Sequence, residues 1–265
     1  MNKAEKQIQI ANKIETRHER GQLVLKSNAL IQKTRYSLSL QEQKIILYII
    51  SKLEPTDEEF KHYEFDLKKL CELCDIEYNG KNYLNFKESI KNLSDKSFWY
   101  NDGKKESLCR WVEKVIIDIT NPTKIYIRLD EDLKPYLLQL KNNYTIYELE
   151  NTLMMTSKYS IRLYELLKSY SYKGKWEISV NELKNILNIG DKYNEYKDFR
   201  KRILNKSIEE INSYTDLNVI LKPIRTNRII TDLHFAISKK NSDEINQLVI
   251  ARAYFHNNKE VNRDE

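Results

Sequence analysis

Glycine and proline are scarce in this chain, five and four in 265 residues. That excludes low-complexity and loop-dominated architectures and favours ordered, helix-rich structure. There are three cysteines (Cys71, Cys74, Cys109), an odd number that gives no disulfide framework. The expected setting is a reducing cytoplasm. The longest apolar run, Ile45 to Ile50, is far too short to span a bilayer, so no membrane partner is expected. The N-terminus has no apolar h-region of a secretion signal. No Gly-x4-Gly-Lys-Ser/Thr phosphate loop is present, which argues against an intrinsic ATPase. The four histidines (His18, His62, His234, His256) are scattered. Tyrosine is plentiful at 18, but none has a visible activating partner. No catalytic role and no cofactor are expected.

What the chain does have is a repeat. Tyr63-Glu-Phe-Asp-Leu-Lys-Lys-Leu-Cys-Glu-Leu-Cys-Asp-Ile76 returns as Trp176-Glu-Ile-Ser-Val-Asn-Glu-Leu-Lys-Asn-Ile-Leu-Asn-Ile189, and Leu47–Leu53 returns more loosely as Leu163–Ser169. Phe86 and Phe199 open corresponding amphipathic stretches. The spacing is too long for a solenoid and fits two copies of one small domain. A hydrophobic fraction of 40% supplies their cores, while 32% charged residues and a net charge of +6 permit a polyanionic partner without requiring one.

Each copy reads helix, strand, helix, helix, strand, strand. In the first, Leu23-Val-Leu25 is a short strand. Ser39 caps a helix to about Leu53 with Glu42 as its box partner, and Asp66 caps a short helix ending near Cys74. An Asn79-Gly80 turn leads into a helix from about Leu84 to Ser97, with Phe86, Ile90, Leu93 and Ser97 on one face. Trp111, Val115, Ile117 and Ile119 alternate, and a turn at Asn121-Pro122-Thr123 leads to Ile125, Ile127 and Leu129. That pattern predicts a hairpin. Leu133–Leu140 looks helical, and 144–155 is expected to pack between the copies. The second copy opens with a helix from Ser157 to about Tyr170, then a strand at Trp176–Ile178. Ser179 caps the next helix with Glu182 as box partner, and a helix over Tyr196–Tyr214 follows. Strands over Leu217–Lys222 and Ile229–Ile237 close the copy, the latter with Ile229, Thr231, Leu233, Phe235 and Ile237 on one face. A last helix starts at Ser242.

The expected fold class is therefore α+β, with two tandem winged-helix domains related by internal duplication. The division is a charged tail over 1–21, a first domain over 22–130, connecting helices over 131–156, a second domain over 157–240 and a C-terminal helix or tail over 241–265. In such a domain the third helix enters the major groove and the hairpin touches backbone or minor groove.

Cys71-x-x-Cys74 has zinc-ligand spacing, and His62 and Cys109 would complete four ligands. The repeat places Lys184 and Leu187 where the second copy would need the cysteines, so core thiols are the better reading. Trp99, Trp111 and Trp176 fall where core packing explains them better than base stacking.

The most informative stretch is Asp198-Phe-Arg-Lys-Arg-Ile-Leu-Asn-Lys-Ser-Ile-Glu-Glu-Ile211. At about 100° per residue, Phe199, Ile203, Leu204, Ser207, Ile208 and Ile211 share one face. Asp198, Lys201, Arg202, Asn205 and Lys206 point the other way, with Glu209 and Glu210 as later acids. Cations at the helix N-terminus suit base reading, where Arg or Lys meets guanine and Asn meets adenine. Lys192, Lys197 and Arg200 flank this face and suit phosphates. Arg225 and Arg228 at the hairpin tip suit phosphate or a narrow minor groove. Tyr193 and Tyr196 stand just ahead of the helix, within reach of a DNA backbone. The corresponding helix of the first copy offers a mixture, Glu88, Lys91, Asn92 and Asp95. Lys91 and Asn92 are expected to make backbone contacts, or that copy to serve dimerisation.

These residues carry a resemblance. Val24-Leu-Lys-Ser-Asn28, Tyr36-Ser-Leu-Ser-Leu-Gln-Glu-Gln43, Ser157-Lys-Tyr-Ser-Ile-Arg-Leu-Tyr-Glu-Leu-Leu-Lys168 and Asp198-Phe-Arg-Lys-Arg-Ile-Leu204 with Glu210-Ile-Asn212 and Thr215-Asp216 resemble, in order, the iteron-binding replication initiators of theta-replicating plasmids. The resemblance covers about 22–240. It implies binding of double-stranded DNA at direct repeats of an origin, opening of adjacent AT-rich DNA, and recruitment of host initiation factors and the replicative helicase. It also implies a dimer, joined mainly through the first domain, that represses its own gene. It places most specific contacts on Asp198, Arg200, Lys201, Arg202 and Asn205, with Arg225 and Arg228 in support. A rolling-circle nickase would need a His-hydrophobe-His cluster that this chain lacks. A winged-helix transcription regulator with no origin function has the same chemistry. It would be told apart by one palindromic operator in place of several direct repeats of roughly 20 bp.

Overall fold

A computed structural model describes residues 23–54, 57–74, 76–101, 104–190 and 192–261. The expected tail over 1–21 lies outside them.

The repeat becomes visible as two sheets of the same topology. In the first domain β2 (Tyr63–Asp66) pairs antiparallel with β6 (Lys124–Leu129), which pairs with β5 (Val112–Ile117). In the second, β8 (Lys175–Ser179) pairs with β10 (Ile229–Lys239), which pairs with β9 (Leu217–Thr226). In both, the strand before the helix pair lies against the second arm of the hairpin. Alternating Ile125, Ile127 and Leu129 in one domain, and Leu233, Phe235 and Ile237 in the other, are buried against the helices.

Helix starts follow their caps. The Ser39 hydroxyl accepts from the Glu42 N–H at 3.2 Å while the Glu42 carboxylate accepts from the Ser39 N–H at 2.6 Å, a reciprocal box opening α2 (Leu40–Ile50). Lys96 Nζ also meets that carboxylate at 2.6 Å. Ser39→Ala is expected to lower stability by about 1 kcal/mol, read as an earlier chemical-denaturation midpoint. An unchanged midpoint would show that Lys96 alone holds Glu42. Asp66 caps α3 (Leu67–Leu73), Ser157 caps α7 (Lys158–Tyr170) and Ser179 caps α8 (Val180–Ile186). The Glu182 carboxylate is turned to Arg35 of the first domain and does not close a second box.

Several expectations are corrected. The helix expected from Leu84 is α4 and begins at Gly80, because Asn79 is its N-cap and not part of a free turn. It stops at Asp95, and Ser97 opens β3 (Ser97–Asn101), paired with β4 (Glu106–Arg110). Trp99 faces solvent opposite Leu108 on that ribbon, whereas Trp111 and Trp176 are buried as expected. Trp111 packs edge-on to Tyr36 at 4.9 Å and against Phe98 at 4.7 Å. Trp176 stacks between Tyr170 and Phe235. Ile119 lies at the turn, fully outside the sheet face assigned to it. A register break between Ile230 and Asp232 takes Ile229 off the face of Leu233. The helix expected over Leu133–Leu140 is a 3-10 turn at Glu131–Leu133 and one turn of α5 at Lys134–Leu137. Cys71 and Cys109 are buried and Cys74 half-buried; burial, with Cys74 and Asp66 nearby, pushes the Cys71 thiol up to about 12.

The segment after α5 joins the domains. β7 (Tyr144–Glu148) pairs antiparallel with β1 (Leu23–Ser27). α6 (Glu150–Leu153) follows, and α1 (Asn28–Lys33) packs on α7. Beneath the ribbon Lys26 Nζ meets Glu165 Oε1 at 2.7 Å, both side chains 1% exposed. The Tyr147 hydroxyl donates to the same oxygen at 2.7 Å. Arg162 lies 3.8 Å from Glu165 Oε2, stacks on the Tyr36 ring and donates to the Thr34 carbonyl. Among the described residues no helix is long and apolar enough to cross a membrane. The C-terminal α11 (Ser242–Val261) is tied down by Arg252, which bonds Asn151, Glu150 and the Tyr214 carbonyl.

Candidate nucleic-acid interface

The helix expected over 196–214 forms, but not as one regular α-helix. Tyr196–Phe199 is α9, Arg200–Leu204 is a π turn, and Asn205–Tyr214 is α10. The Asn205 N–H donates to the Arg200 carbonyl, five residues back. Such a turn adds a residue to the helix and is frequent at functional sites. Within it Arg200, Lys201 and Arg202 are all exposed, while Ile203 and Leu204 are both buried. No sequence signal marks it, since Arg-Lys-Arg-Ile-Leu suits an ordinary helix.

The turn ahead of this helix is held by one side chain. Lys184 Nζ donates to the carbonyls of Tyr193 at 2.7 Å and Asn194 at 3.4 Å and lies 5.4 Å from the centre of the Phe199 ring. Tyr193 is locked at φ 58, where a bulky residue is uncommon. The Tyr196 hydroxyl is buried with no hydrogen-bond partner among the described residues. That corrects the expectation that it meets a DNA backbone.

Lys192, Lys197, Asp198, Arg200, Lys201, Arg202, Asn205 and Lys206 are all exposed. Among the described residues only Lys206 of these has an ion partner within the chain, Glu210 at a loose 4.0 Å. Glu210 itself is buried and accepts from the Thr156 N–H and hydroxyl, so it is a structural acid rather than part of the exposed face. Arg225 and Arg228 are exposed at the second wing with no partner among the described residues.

Two further cations border this face, and neither was marked by the sequence as a site. Lys158, at the start of α7, is partly buried. That burial, with Lys192 and Lys96 nearby, lowers its ammonium from the ordinary 10.5. Lys96 comes from the end of the first domain's third helix, so cations of both domains share one region.

The first-domain helix is different. Lys91 Nζ is paired with Asp95 at 2.7 Å, which holds its amine above the ordinary value, and Asn92 is half-buried. Its wing tip is acidic: Asp118 accepts from the N–H and hydroxyl of Thr120 and from the Asn121 N–H.

Two family models match the chain. One, described as the first winged-helix domain of the initiator replication protein, covers residues 23–168. The other, the second winged-helix domain of the initiator Rep protein, covers 179–237. No curated protein matches. Among solved structures, domains 2 and 3 of RctB are similar at 13% identity and a TM-score of 0.45, over 75% of this chain and 80% of that one. A second structure of the same two domains gives 13% identity and 0.43, over 78% and 83%.

Proposed function

We propose that this chain, which belongs to the initiator replication protein family, binds direct repeats of double-stranded DNA at a plasmid origin through its second winged-helix domain. Arg200, Lys201, Arg202 and Asn205 read base edges in the major groove, with Asp198 beside them. Lys192, Lys197, Lys206 and Lys158 take phosphates, and Arg225 and Arg228 meet the minor groove or its rims. The first domain makes backbone contacts near Lys91 and Asn92 and joins a dimer that represses the initiator's own gene. The exposed cross-strand pair Trp99 and Leu108 supports that second role. Bound at repeats, the protein promotes opening of adjacent DNA and recruits host initiation factors and helicase. One observation carries the DNA reading above the rest. Four successive or near-successive polar side chains, Arg200 to Arg202 and Asn205, stand exposed and unpaired among the described residues on a helix whose opposite face is buried.

Selection of bound duplexes from a random library, with salt-titrated affinity on the winner, tests this. A directional site of roughly 20 bp bound at roughly 10⁻⁸ M or tighter is expected. Binding no tighter than about 10⁻⁴–10⁻⁶ M for every sequence, in a monomeric preparation, would overturn it.

A further inference from the structure

The second wing ends in a feature that base reading does not use. β9 and β10 pair from Leu217 opposite Lys239 out to Thr226 opposite Ile229, whereas β8 reaches only the Asp232–Ala236 stretch. The hairpin therefore projects beyond its third strand. It turns through Asn227 at φ 50 and Arg228 at φ 73. Two central residues at positive φ make a type I′ turn, in which Asn then Gly are preferred. Asn227 fits. Arg228 carries a full side chain on a left-handed backbone that glycine would adopt without strain. Strain kept at one position points to a use for that side chain.

Ile229 comes next, 69% exposed, and the register break at Ile230 and Asp232 keeps it off the buried face. Ile229 thus stands directly after Arg228 and opposite Thr226, one pair from Arg225, and both exposed guanidiniums lack an ion partner among the described residues. A protein surface covering Ile229 would have to desolvate the adjacent Arg228 or supply an acid for it. The minor groove of a duplex supplies negative potential on both sides and an apolar gap between base pairs.

Building on the DNA-binding reading above, we infer that Arg225 and Arg228 draw the second wing into a minor groove and that Ile229 enters a base step as a wedge. Partial unstacking there kinks the duplex. The first wing provides an internal control. Its tip residue Ile119 is 93% exposed, but its neighbour is the anionic Asp118 and no arginine flanks it, so it does not wedge.

The test uses the full chain and the selected duplex with donor and acceptor dyes at its ends and 2-aminopurine at adenines flanking the recognition-helix site. Wild type is expected to raise energy transfer and 2-aminopurine emission on binding. Ile229→Ala should keep affinity within a few-fold of wild type and lose more than half of both signals, while Ile229→Leu and Ile119→Ala keep them. Arg228→Gly should weaken binding and reduce the salt slope by about one. Full signals in Ile229→Ala, or a tightly bound wild-type duplex that stays straight, would overturn the wedge and leave sequence reading intact. Absence of any specific site in the same titrations would overturn both.

Discussion

Glu165→Gln is expected to destabilise the protein by about 3–5 kcal/mol. The variant is nearly isosteric and keeps an acceptor for the Tyr147 hydroxyl, so packing is preserved and the loss is electrostatic. It leaves Lys26 charged, 1% exposed and without its carboxylate. It also leaves Arg162, whose Nε and Nη1 already lack a hydrogen-bond partner among the described residues, without its nearest anion. Lys26→Met removes the cation instead and leaves the carboxylate buried. The double variant Lys26→Met/Glu165→Gln should recover part of the loss, because neither charge then needs the other. Additive losses in urea denaturation would show that the pair is not coupled.

The same carboxylate makes a pH prediction. Burial by itself raises the Glu165 value, but Lys26 and Arg162, with hydrogen bonds from Lys26 and Tyr147, outweigh burial and hold it below the ordinary 4.5. A group depressed in the folded state contributes stability above its unfolded value and loses it as pH falls through the folded value. Wild type should therefore lose stability below about pH 4.5, in the window set by that group. Glu165→Gln should show a shallower decline there; parallel curves would exclude Glu165 as a source of the dependence. The consequence is geometric. Lys26 lies in β1 and Thr34 just after α1, while Glu165 and Arg162 lie in α7. The network fixes α7 against β1 and the residue after α1. Gln32 to Ser169 and Arg35 to Glu182 add two contacts across the same seam.

Much of this was legible in the sequence, because the signals were local. Ser39 with Glu42, Asp66, Ser157 and Ser179 each mark a helix start through the next few residues, and each holds. Period-two apolar residues located the hairpins, and the repeat implied matching sheets. What was not legible depends on distant partners. Leu23–Ser27 pairs with a strand more than a hundred residues on, and nothing in Tyr144–Glu148 names its partner. Lys26 reads as a surface lysine until Glu165 lies beside it. Ser97 reads as the end of a helix face and Phe98–Tyr100 as no element, because Phe98 and Tyr100 alternate over too short a run. Glu210 looked like an exposed acid, and Thr156 makes it structural. The exposed cations between Lys197 and Lys206 were legible because amphipathicity alone assigns the side they occupy. Lys158 and Lys96 were not, since they meet only when the domains do.

Arg202→Ala and Lys201→Ala are each expected to cost about 1–3 kcal/mol of specific binding if the side chain meets a base. On the proposed reading each of Arg200, Lys201 and Arg202 meets either a base edge or a flanking phosphate. The two roles separate in one experiment, affinity for the selected site and for a scrambled duplex across a salt series. A base reader loses affinity for the selected site alone. A phosphate contact loses it for both duplexes, and its salt slope falls by about one. Lys91→Ala in the first domain should cost less than Lys201→Ala or Arg202→Ala, because Asp95 competes with a phosphate for that amine. If Lys201→Ala and Arg202→Ala both keep wild-type affinity and slope, this helix does not enter the groove. A larger loss of specificity from Lys91→Ala would make the first domain the reader instead.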